Sequence, residues 1–215
     1  MFTYRIAIHE KRMNPVYHSA MRLKLVQAGE PVLRSTAQPL ALKELASQEI
    51  LRLIEDMRET LQDAPGVGLA APQVGVPLQL AIIEDRPEYS KDIAPEQLAE
   101  RERAPVPFHV IINPVLKPIG KSEIEFFEGC LSLEGFTALV PRYRQVRVSC
   151  LDEQGKQRTI EASGWYARIL QHEIDHLNGT LYIDRMRSRS FSSLQNFSRH
   201  WKGKSTKDVV AELTH

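Results

Sequence analysis

A His-Glu-x-x-His pentapeptide inside an apolar run is the feature that most constrains the fold. It occupies residues 172–176, and the run 165–177 around it has the length and composition of a buried helix. Four residues of an α-helix turn through about 400°, so His172 and His176 point the same way. Two imidazoles one turn apart supply two corners of a metal site, and Glu173 can reach a water molecule as general base. The alternative is a structural helix whose histidines are hydrogen-bonded.

A metal site of this kind needs a third ligand, and the residues after the pentapeptide do not supply a convincing one. One large protease group extends the motif to HExxHxxGxxH, but here Tyr182 stands where the third histidine would be. A second group takes a glutamate from a following helix. The acids that follow His176 do not lie in a convincing apolar helix; they are Asp184, Asp208 and Glu212. We therefore expect the third ligand upstream.

The two cysteines indicate where that ligand lies. Two cysteines in 215 residues are too few for a secreted disulfide scaffold, and they favour a reducing compartment. Cys150 belongs to an alternating segment and is expected to be a buried strand residue. Cys130 follows a strand and a glycine, a firm position from which to aim a ligand. A set of His172, His176 and Cys130 would leave a fourth position for water, which is the catalytic pattern of metal binding.

A segment rich in small residues forms a third unusual feature. Residues 66–73 read GVGLAAPQ, between a predicted long helix and an apolar strand. Small residues allow the backbone to approach a ligand closely. The segment is not a phosphate-binding loop, because no Gly-Lys-Ser/Thr follows it. Taken alone, it is also compatible with a tight turn and a packing contact.

Three segments together resemble the motifs of the peptide deformylase family, in that family's order. They are GVGLAAPQ at 66–73, EGCLS at 128–132 and QHEIDHLNG at 171–179. The resemblance covers about residues 22–186. It implies a hydrolase that releases formate from the N-formyl-methionine of nascent polypeptides. It also implies one divalent metal ion, natively Fe²⁺ in many members, with Zn²⁺, Ni²⁺ or Co²⁺ as substitutes in purified protein.

The resemblance also implies roles for the residues of the catalytic centre. The metal ligands would be Cys130, His172 and His176, and Glu173 would be the general acid and base. A bound metal brings the pKa of its water from about 15.7 towards 7. Glu173 could then take the proton of the attacking water and deliver it to the leaving amine.

Further roles concern the oxyanion and the substrate. The resemblance implies the side-chain amide of Gln73 and the backbone N–H of Leu131 as oxyanion donors, and one such donor typically contributes about 3–4 kcal/mol. The backbone at Gly68 would hold the substrate chain, and Glu128 is a further substrate-binding candidate. For the methionine side chain, the apolar pocket candidates are Val67, Phe126, Trp165 and Ile169. The alternative for Trp165 and Ile169 is a place in the ordinary core.

The pattern of elements predicts a single-domain α+β fold, with short and mostly antiparallel strands around a central HExxH helix. An amphipathic helix is expected at 41–61, and the metal helix at about 164–177 with Gly179 as its stop. The expected strands are 78–84, 108–112, 122–127, 137–140, 144–151 and 157–161, the last two forming a hairpin. Residues 1–21 are expected to precede a catalytic domain at 22–186, with an inserted loop at 85–107 that carries a short helix between 94 and 103.

The C-terminal segment 187–215 is distinguished by its charge. Residues 185–207 contain seven Lys/Arg and no acid, whereas residues 1–184 hold 21 Lys/Arg and 25 Asp/Glu. Helical spacing of its apolar residues predicts a basic amphipathic helix; these residues are Phe191, Leu194, Phe197 and Trp201. One interpretation is a solvated segment packed on the domain. The other is contact with ribosomal RNA, where basic side chains would face phosphate.

The sequence also bears on location and on alternative functions. No apolar run approaches the ~18 residues of a membrane helix. The basic N-terminus resembles an organelle transit peptide but lacks its serine richness, so a bacterial cytoplasm is favoured over an organelle. A general metallopeptidase is one alternative, and it would need a third ligand other than Cys130. A non-catalytic member with a structural metal is the other, and such a chain would usually have lost Glu173 or Gln73.

Overall fold

The computed structural model describes residues 20–214. The predicted N-terminal extension at 1–21 therefore lies almost entirely outside the described residues. The helices are α1 (Leu42–Leu45), α2 (Gln48–Asp63), α3 (Pro95–Glu100), α4 (Gly164–Leu177), α5 (Leu194–His200) and α6 (Thr206–Thr214). The strands are β1 (Gly68–Ala70), β2 (Leu80–Asp85), β3 (Val106–Pro118), β4 (Glu123–Cys130), β5 (Leu133–Tyr143), β6 (Gln145–Leu151), β7 (Gln157–Ser163) and β8 (Ser192–Ser193). None of the helices in this range is both long and apolar enough to cross a membrane.

Two antiparallel sheets frame the molecule. A five-stranded sheet has the order β1-β2-β3-β6-β7, and a three-stranded sheet has the order β4-β5-β8. The predicted hairpin of β6 and β7 is confirmed by a continuous register from Gln145–Ser163 to Leu151–Gln157. Strand β1 lies at the edge of the first sheet and strand β4 at the edge of the second.

Strand β2 of the five-stranded sheet is buried on both faces. Successive side chains of a strand point to opposite faces. In β2, Ala81 and Ile83 belong to the core cluster that contains α4, whereas Leu80 and Ile82 belong to the cluster that contains α2. This explains why β2 is an apolar run without alternation, since a strand covered on both faces needs apolar residues throughout.

Helix α4 is the central element, as the sequence predicts. It contacts strands of both sheets and buries most of its length. Gly179, two residues beyond the helix, adopts φ +71°, and an added Cβ would lie 2.7 Å from the backbone of Arg34. A side chain at that position would therefore be strained and would clash, so glycine lets the chain turn directly after the second histidine. The α+β architecture around the HExxH helix is confirmed.

Some helix and strand boundaries differ from the predictions because helix caps and short strand pairings set them. The helix expected at 41–61 is two helices, because Ser47 caps a new helix by accepting a hydrogen bond from the N–H of Ile50. Strands β1 and β8 were not predicted, since three and two residues carry no periodicity. The amphipathic helix expected from Phe191 begins only at Leu194, because Ser192 and Ser193 pair with β5. Ser193 caps α5 through the N–H of Asn196.

Candidate metal centre and active site

Three potential metal ligands converge at the end of β4 and on one face of α4. The ligand atoms of Cys130, His172 and His176 all lie within 4.8 Å of one another. Cys130 Sγ is 3.3 Å from His176 Nε2, and the two imidazole centroids are 5.0 Å apart. One soft sulfur and two imidazole nitrogens suit a transition metal such as iron or zinc. The donor set therefore fits the divalent metal ion that the family resemblance implies.

A buried carboxylate orients the first histidine. Glu128 Oε2 is 2.9 Å from His172 Nδ1, which leaves Nε2 of His172 available to a metal. Arg142 donates to both oxygens of Glu128 at 2.9 Å, and Arg168 donates at 2.6 Å. Burial opposes the charge on Glu128, but Arg142 and His172 outweigh it and lower its pKa. Both oxygens of Glu128 are thus engaged by protein groups.

The network around Glu128 extends to a second carboxylate. Arg142 also donates to Asp175, which lies on the same helix as the histidines. Arg185 donates to both oxygens of Asp175 at 2.7 and 2.8 Å. The side chains of Arg142, Arg168 and Glu128 are each at most 4% exposed. This chain of alternating charges ties β4, β5 and α4 together behind the metal ligands.

Replacing Glu128 with Ala is expected to destabilise the protein by about 3–5 kcal/mol, because buried Arg168 loses its carboxylate partner and buried Arg142 keeps only Asp175. Chemical denaturation would measure this loss. The matched control is Glu125→Ala on the same strand, whose partner Arg187 is 64% exposed. That change should cost less than about 1 kcal/mol, as is usual for exposed pairs. Equal losses for the two variants would contradict the structural importance of the network.

Glu173 is buried beside the three potential ligands. Its Oε2 atom accepts no hydrogen bond from any described residue. Burial raises its pKa to about 7, with His172 acting in the opposite direction. Its carboxylate packs against β1, since a Cβ added to Gly68 would lie 2.4 Å from Glu173 Oε1. Only glycine at position 68 leaves room for this side chain.

The side-chain amide of Gln73 lies beside the sulfur of Cys130. Gln73 Oε1 accepts from the N–H of Ala70 at 2.9 Å, which fixes the orientation of the amide group. Its Nε2 then lies 3.6 Å from Cys130 Sγ and 3.4 Å from Ser132 Oγ. A buried amide held in this way presents a fixed donor to the centre. Leu131, the other expected donor residue, borders the same space.

The segment before the first helix braces both loops of the site. The N–H of Val26 donates to the carbonyl of Gln73 at 2.9 Å. Gln27 Nε2 donates to the carbonyl of Leu131 at 3.0 Å, and the N–H of Ala28 donates to the carbonyl of Ser132 at 2.7 Å. These contacts were not predicted, because residues 26–28 carry no motif and their role depends on long-range backbone pairing.

A cavity of about 550 Å³ opens above the metal ligands. Cys130, His172, Glu173 and Gln73 line it together with several of the predicted substrate residues. Those residues are Val67, Gly68, Glu128, Leu131, Trp165 and Ile169. The structure thus brings the expected ligands, general base and most pocket candidates into one space.

Phe126 does not line this cavity, contrary to its expected position in the pocket. It is buried, and the guanidinium groups of Arg168 and Arg101 lie 5.1 and 5.8 Å from its ring centroid. Successive side chains of a strand point to opposite faces. Phe126 therefore shares its face of β4 with Glu128, but the guanidinium groups of Arg101 and Arg168 lie over its ring.

Comparison with known proteins supports one assignment for this set of residues. The family model described as "Polypeptide deformylase" matches residues 22–192. This chain belongs to the polypeptide deformylase family.

Similar deformylases come from bacteria and from organelles. The chloroplastic peptide deformylase 1A of Solanum lycopersicum is 48% identical over 80% of this chain and 62% of that protein. Peptide deformylase 3 of Streptomyces avermitilis is 44% identical over 89% of this chain and 83% of that protein. The mitochondrial peptide deformylase of Homo sapiens is 42% identical over 78% of this chain and 69% of that protein. The chain therefore spans less than two thirds of the tomato relative.

Solved deformylase structures share the fold. The Met-Ala-Ser-bound crystal structure of the class I type b enzyme from Acinetobacter baumannii matches with a TM-score of 0.69 and 31% identity. The match covers 78% of this chain and 99% of that chain.

Several residues that border the cavity of this deformylase-family chain were not predicted as site residues. Tyr89 and Arg103 come from the inserted loop, Phe136 from β5 and Leu194 from the start of α5. Arg103 is held by two hydrogen bonds to Asp85, at 2.8 and 2.9 Å. These residues lie outside the three motifs and reach the cavity only through the tertiary fold.

Proposed function

We propose that this protein hydrolyses the N-terminal formyl group of N-formyl-methionyl polypeptides during protein synthesis and releases formate. The observation that carries the proposal is the buried carboxylate of Glu173 beside a Cys-His-His donor set, with one oxygen that has no hydrogen-bond partner among residues 20–214. A structural metal site would need no such group. Membership of the deformylase family supports the same reaction.

We propose Cys130, His172 and His176 as ligands of one divalent ion, natively Fe²⁺. When bound there, the ion supplies Lewis-acid activation of water and of the formyl oxygen. Glu173 accepts a proton from the attacking water and returns it to the amine as the C–N bond breaks. Gln73 and the backbone N–H of Leu131 donate to the oxygen that becomes negative. Glu128 holds His172 in the orientation and tautomer that ligation requires.

The edges of the two sheets suit an extended peptide. Gly68 on edge strand β1 and Gly129 on edge strand β4 both border the cavity. Extended peptides commonly bind by adding to such edges through backbone hydrogen bonds. The formyl-methionine would enter between these strands, with its carbonyl end directed towards the cavity mouth.

The methionine side chain would occupy the apolar part of the cavity, beside Val67, Trp165 and Ile169. Replacing Trp165 with Ala is expected to raise KM for formyl-Met-Ala-Ser about tenfold, because a wall of the pocket is lost. Stability should fall less than in Phe126→Ala, where removal of a buried ring costs about 3–5 kcal/mol. Steady-state kinetics and thermal unfolding of both variants would test this. Unchanged kinetics in folded Trp165→Ala protein would show that Trp165 has only a packing role and does not bind the methionine side chain.

Product analysis separates deformylation from the alternative activities. Purified protein incubated with formyl-Met-Ala-Ser should yield formate and Met-Ala-Ser with a free amino terminus. A general metallopeptidase would instead cleave an internal peptide bond and release shorter peptides. A non-catalytic metal-binding member would bind the ion and leave the peptide intact.

We further propose that the basic C-terminal segment contacts ribosomal RNA in a bacterial cytoplasm. Its cations fall into two groups. Arg185, Arg187 and Lys204 are paired with carboxylates. Arg189, Arg199, Lys202 and Lys207 are exposed and form no ion pair with the described residues. The second group is the candidate phosphate-binding set.

Replacing those four exposed cations with Gln is expected to reduce co-sedimentation with ribosomes at low salt at least tenfold. Each phosphate contact releases counterions, so binding of the wild-type protein should also weaken steeply as salt rises. The control replaces the paired cations Arg187 and Lys204. Hydrolysis of a free formylated tripeptide should not depend on the four cations. Equal co-sedimentation of wild type and the four-site variant would make the segment a packed surface only.

A further inference from the structure

Three exposed apolar side chains form a platform at the mouth of the cavity. They are Phe136, Phe191 and Leu194, and their exposed fractions are 42%, 42% and 48%. The two phenyl rings are stacked, with centroids 5.0 Å apart and planes 8° from parallel. Phe136 and Leu194 border the same cavity as His172 and Glu173. The apolar platform is therefore continuous with the proposed active site.

Strand pairing and a helix cap hold the platform in place. Phe136 on β5 is the register partner of Ser193 on β8. Ser193 also caps α5, whose first residue is Leu194. Further along α5, Phe197 packs on Phe127 of β4 with ring centroids 4.7 Å apart. The segment that carries Phe191 and Leu194 is thus fixed on the three-stranded sheet beside the metal ligands.

The platform is built partly from sequence beyond the family match. The match ends at residue 192, whereas Leu194 lines the cavity. The C-terminal segment therefore contributes to the space where the substrate would bind, in addition to carrying basic residues. Its charged and apolar residues have separate places: Leu194 faces the cavity, and Arg199 and Lys202 lie further along the chain.

We propose that the apolar platform binds aliphatic or aromatic side chains of the nascent-chain residues that directly follow N-formyl-methionine. The inference rests on the proposed deformylase function and names a substrate preference for it. With the formyl group at the metal ligands, an extended chain advances about 3.3 Å per residue towards the cavity mouth. The residues that follow methionine therefore extend along the cavity that Phe136 and Leu194 border.

The size of the platform favours a peptide over a second protein copy. Three half-exposed side chains offer on the order of 200 Å². A stable protein interface needs about 800 Å² on each partner. Two apolar peptide side chains are of the right size to cover the platform, and covering it removes exposed aromatic surface from water.

The test compares formyl-Met-Leu-Phe with formyl-Met-Ser-Ser in the full-length, metal-loaded protein. Wild type should prefer the apolar peptide about tenfold in kcat/KM, mainly through KM, since burial of apolar side chains strengthens ground-state binding. Leu194→Ser and Phe191→Ser should each lower that preference about threefold. Leu194→Met should retain it, because size and apolar character are kept. The control is Leu42→Ser on α1, which replaces a 66% exposed leucine outside the cavity.

The outcomes distinguish failure of the platform's substrate preference from failure of the deformylase function on which it rests. A lower preference in both serine variants, with the wild-type value in Leu42→Ser and Leu194→Met, supports the platform. Hydrolysis of both peptides with the same preference in wild type and in both serine variants overturns it and leaves the deformylase function intact. If wild type hydrolyses neither peptide, the proposed function fails and the substrate role of the platform fails with it.

Discussion

Replacing Glu173 with Gln is expected to lower kcat for a formylated tripeptide by about 10²–10⁴-fold, the usual contribution of general acid–base catalysis. Glutamine keeps the size of the side chain but cannot accept the proton of the attacking water. Glu173 is not one of the three converging donors, so metal content should equal that of wild type. Steady-state kinetics and metal analysis on the same preparations would measure both effects.

The matched control for this variant is Glu55→Gln on the exposed face of α2. It makes the same chemical change far from the cavity and should leave kcat at the wild-type value. Activity of Glu173→Gln within threefold of wild type would remove this residue from the proton transfer. Loss of the metal in that variant would instead give Glu173 a part in binding the ion.

Replacing Cys130 with Ala is expected to abolish stoichiometric metal binding and, with it, activity. The thiolate is one of three protein donors, and two imidazoles alone hold a divalent ion far more weakly. Cys150→Ala provides the control, since Cys150 is 6% exposed in the core cluster of β6. That variant should keep its metal and lose only about 1 kcal/mol of stability. Equal metal content in wild type and Cys130→Ala would contradict the ligand assignment.

The convergence of Cys130, His172 and His176 could be predicted because it depends largely on local spacing. An HExxH sequence on a helix fixes the relation of two histidines and a glutamate without any knowledge of the fold. The position of Cys130 after an apolar strand and a glycine supplied the third donor. The order of the longer strands and helices followed from periodicity and turn residues. The errors were boundaries, such as the break that Ser47 introduces, and the two short strands β1 and β8.

The parts that sequence could not supply depend on contacts between distant residues. Glu128 was expected to bind substrate, and the sequence did not show that its carboxylate is held by Arg142 of β5 and by Arg168 and His172 of α4. Phe126 was expected in the pocket, yet it is buried beneath Arg101 and Arg168. Neither arrangement has a local signature, because apolar or acidic character does not specify a partner across the fold.

The C-terminal segment illustrates the same limit in a different way. Its charge asymmetry was visible in the sequence and directed attention to an electrostatic partner. The structure adds that Arg185 and Arg187 are paired with carboxylates and that Leu194 borders the cavity. One segment thus carries a charged and an apolar surface. The sequence indicated both, but it did not show that Leu194 borders the cavity.

The most direct test of the central proposal is formate release from formyl-Met-Ala-Ser by protein purified without oxygen, measured beside acetyl-Met-Ala-Ser. The proposal predicts rapid formate release from the formylated peptide by wild type and at least about 100-fold slower release by Glu173→Gln. It also predicts no measurable acetate from the acetylated peptide. Formate release by the metal-loaded wild type that does not exceed the rate of Glu173→Gln would contradict the proposal.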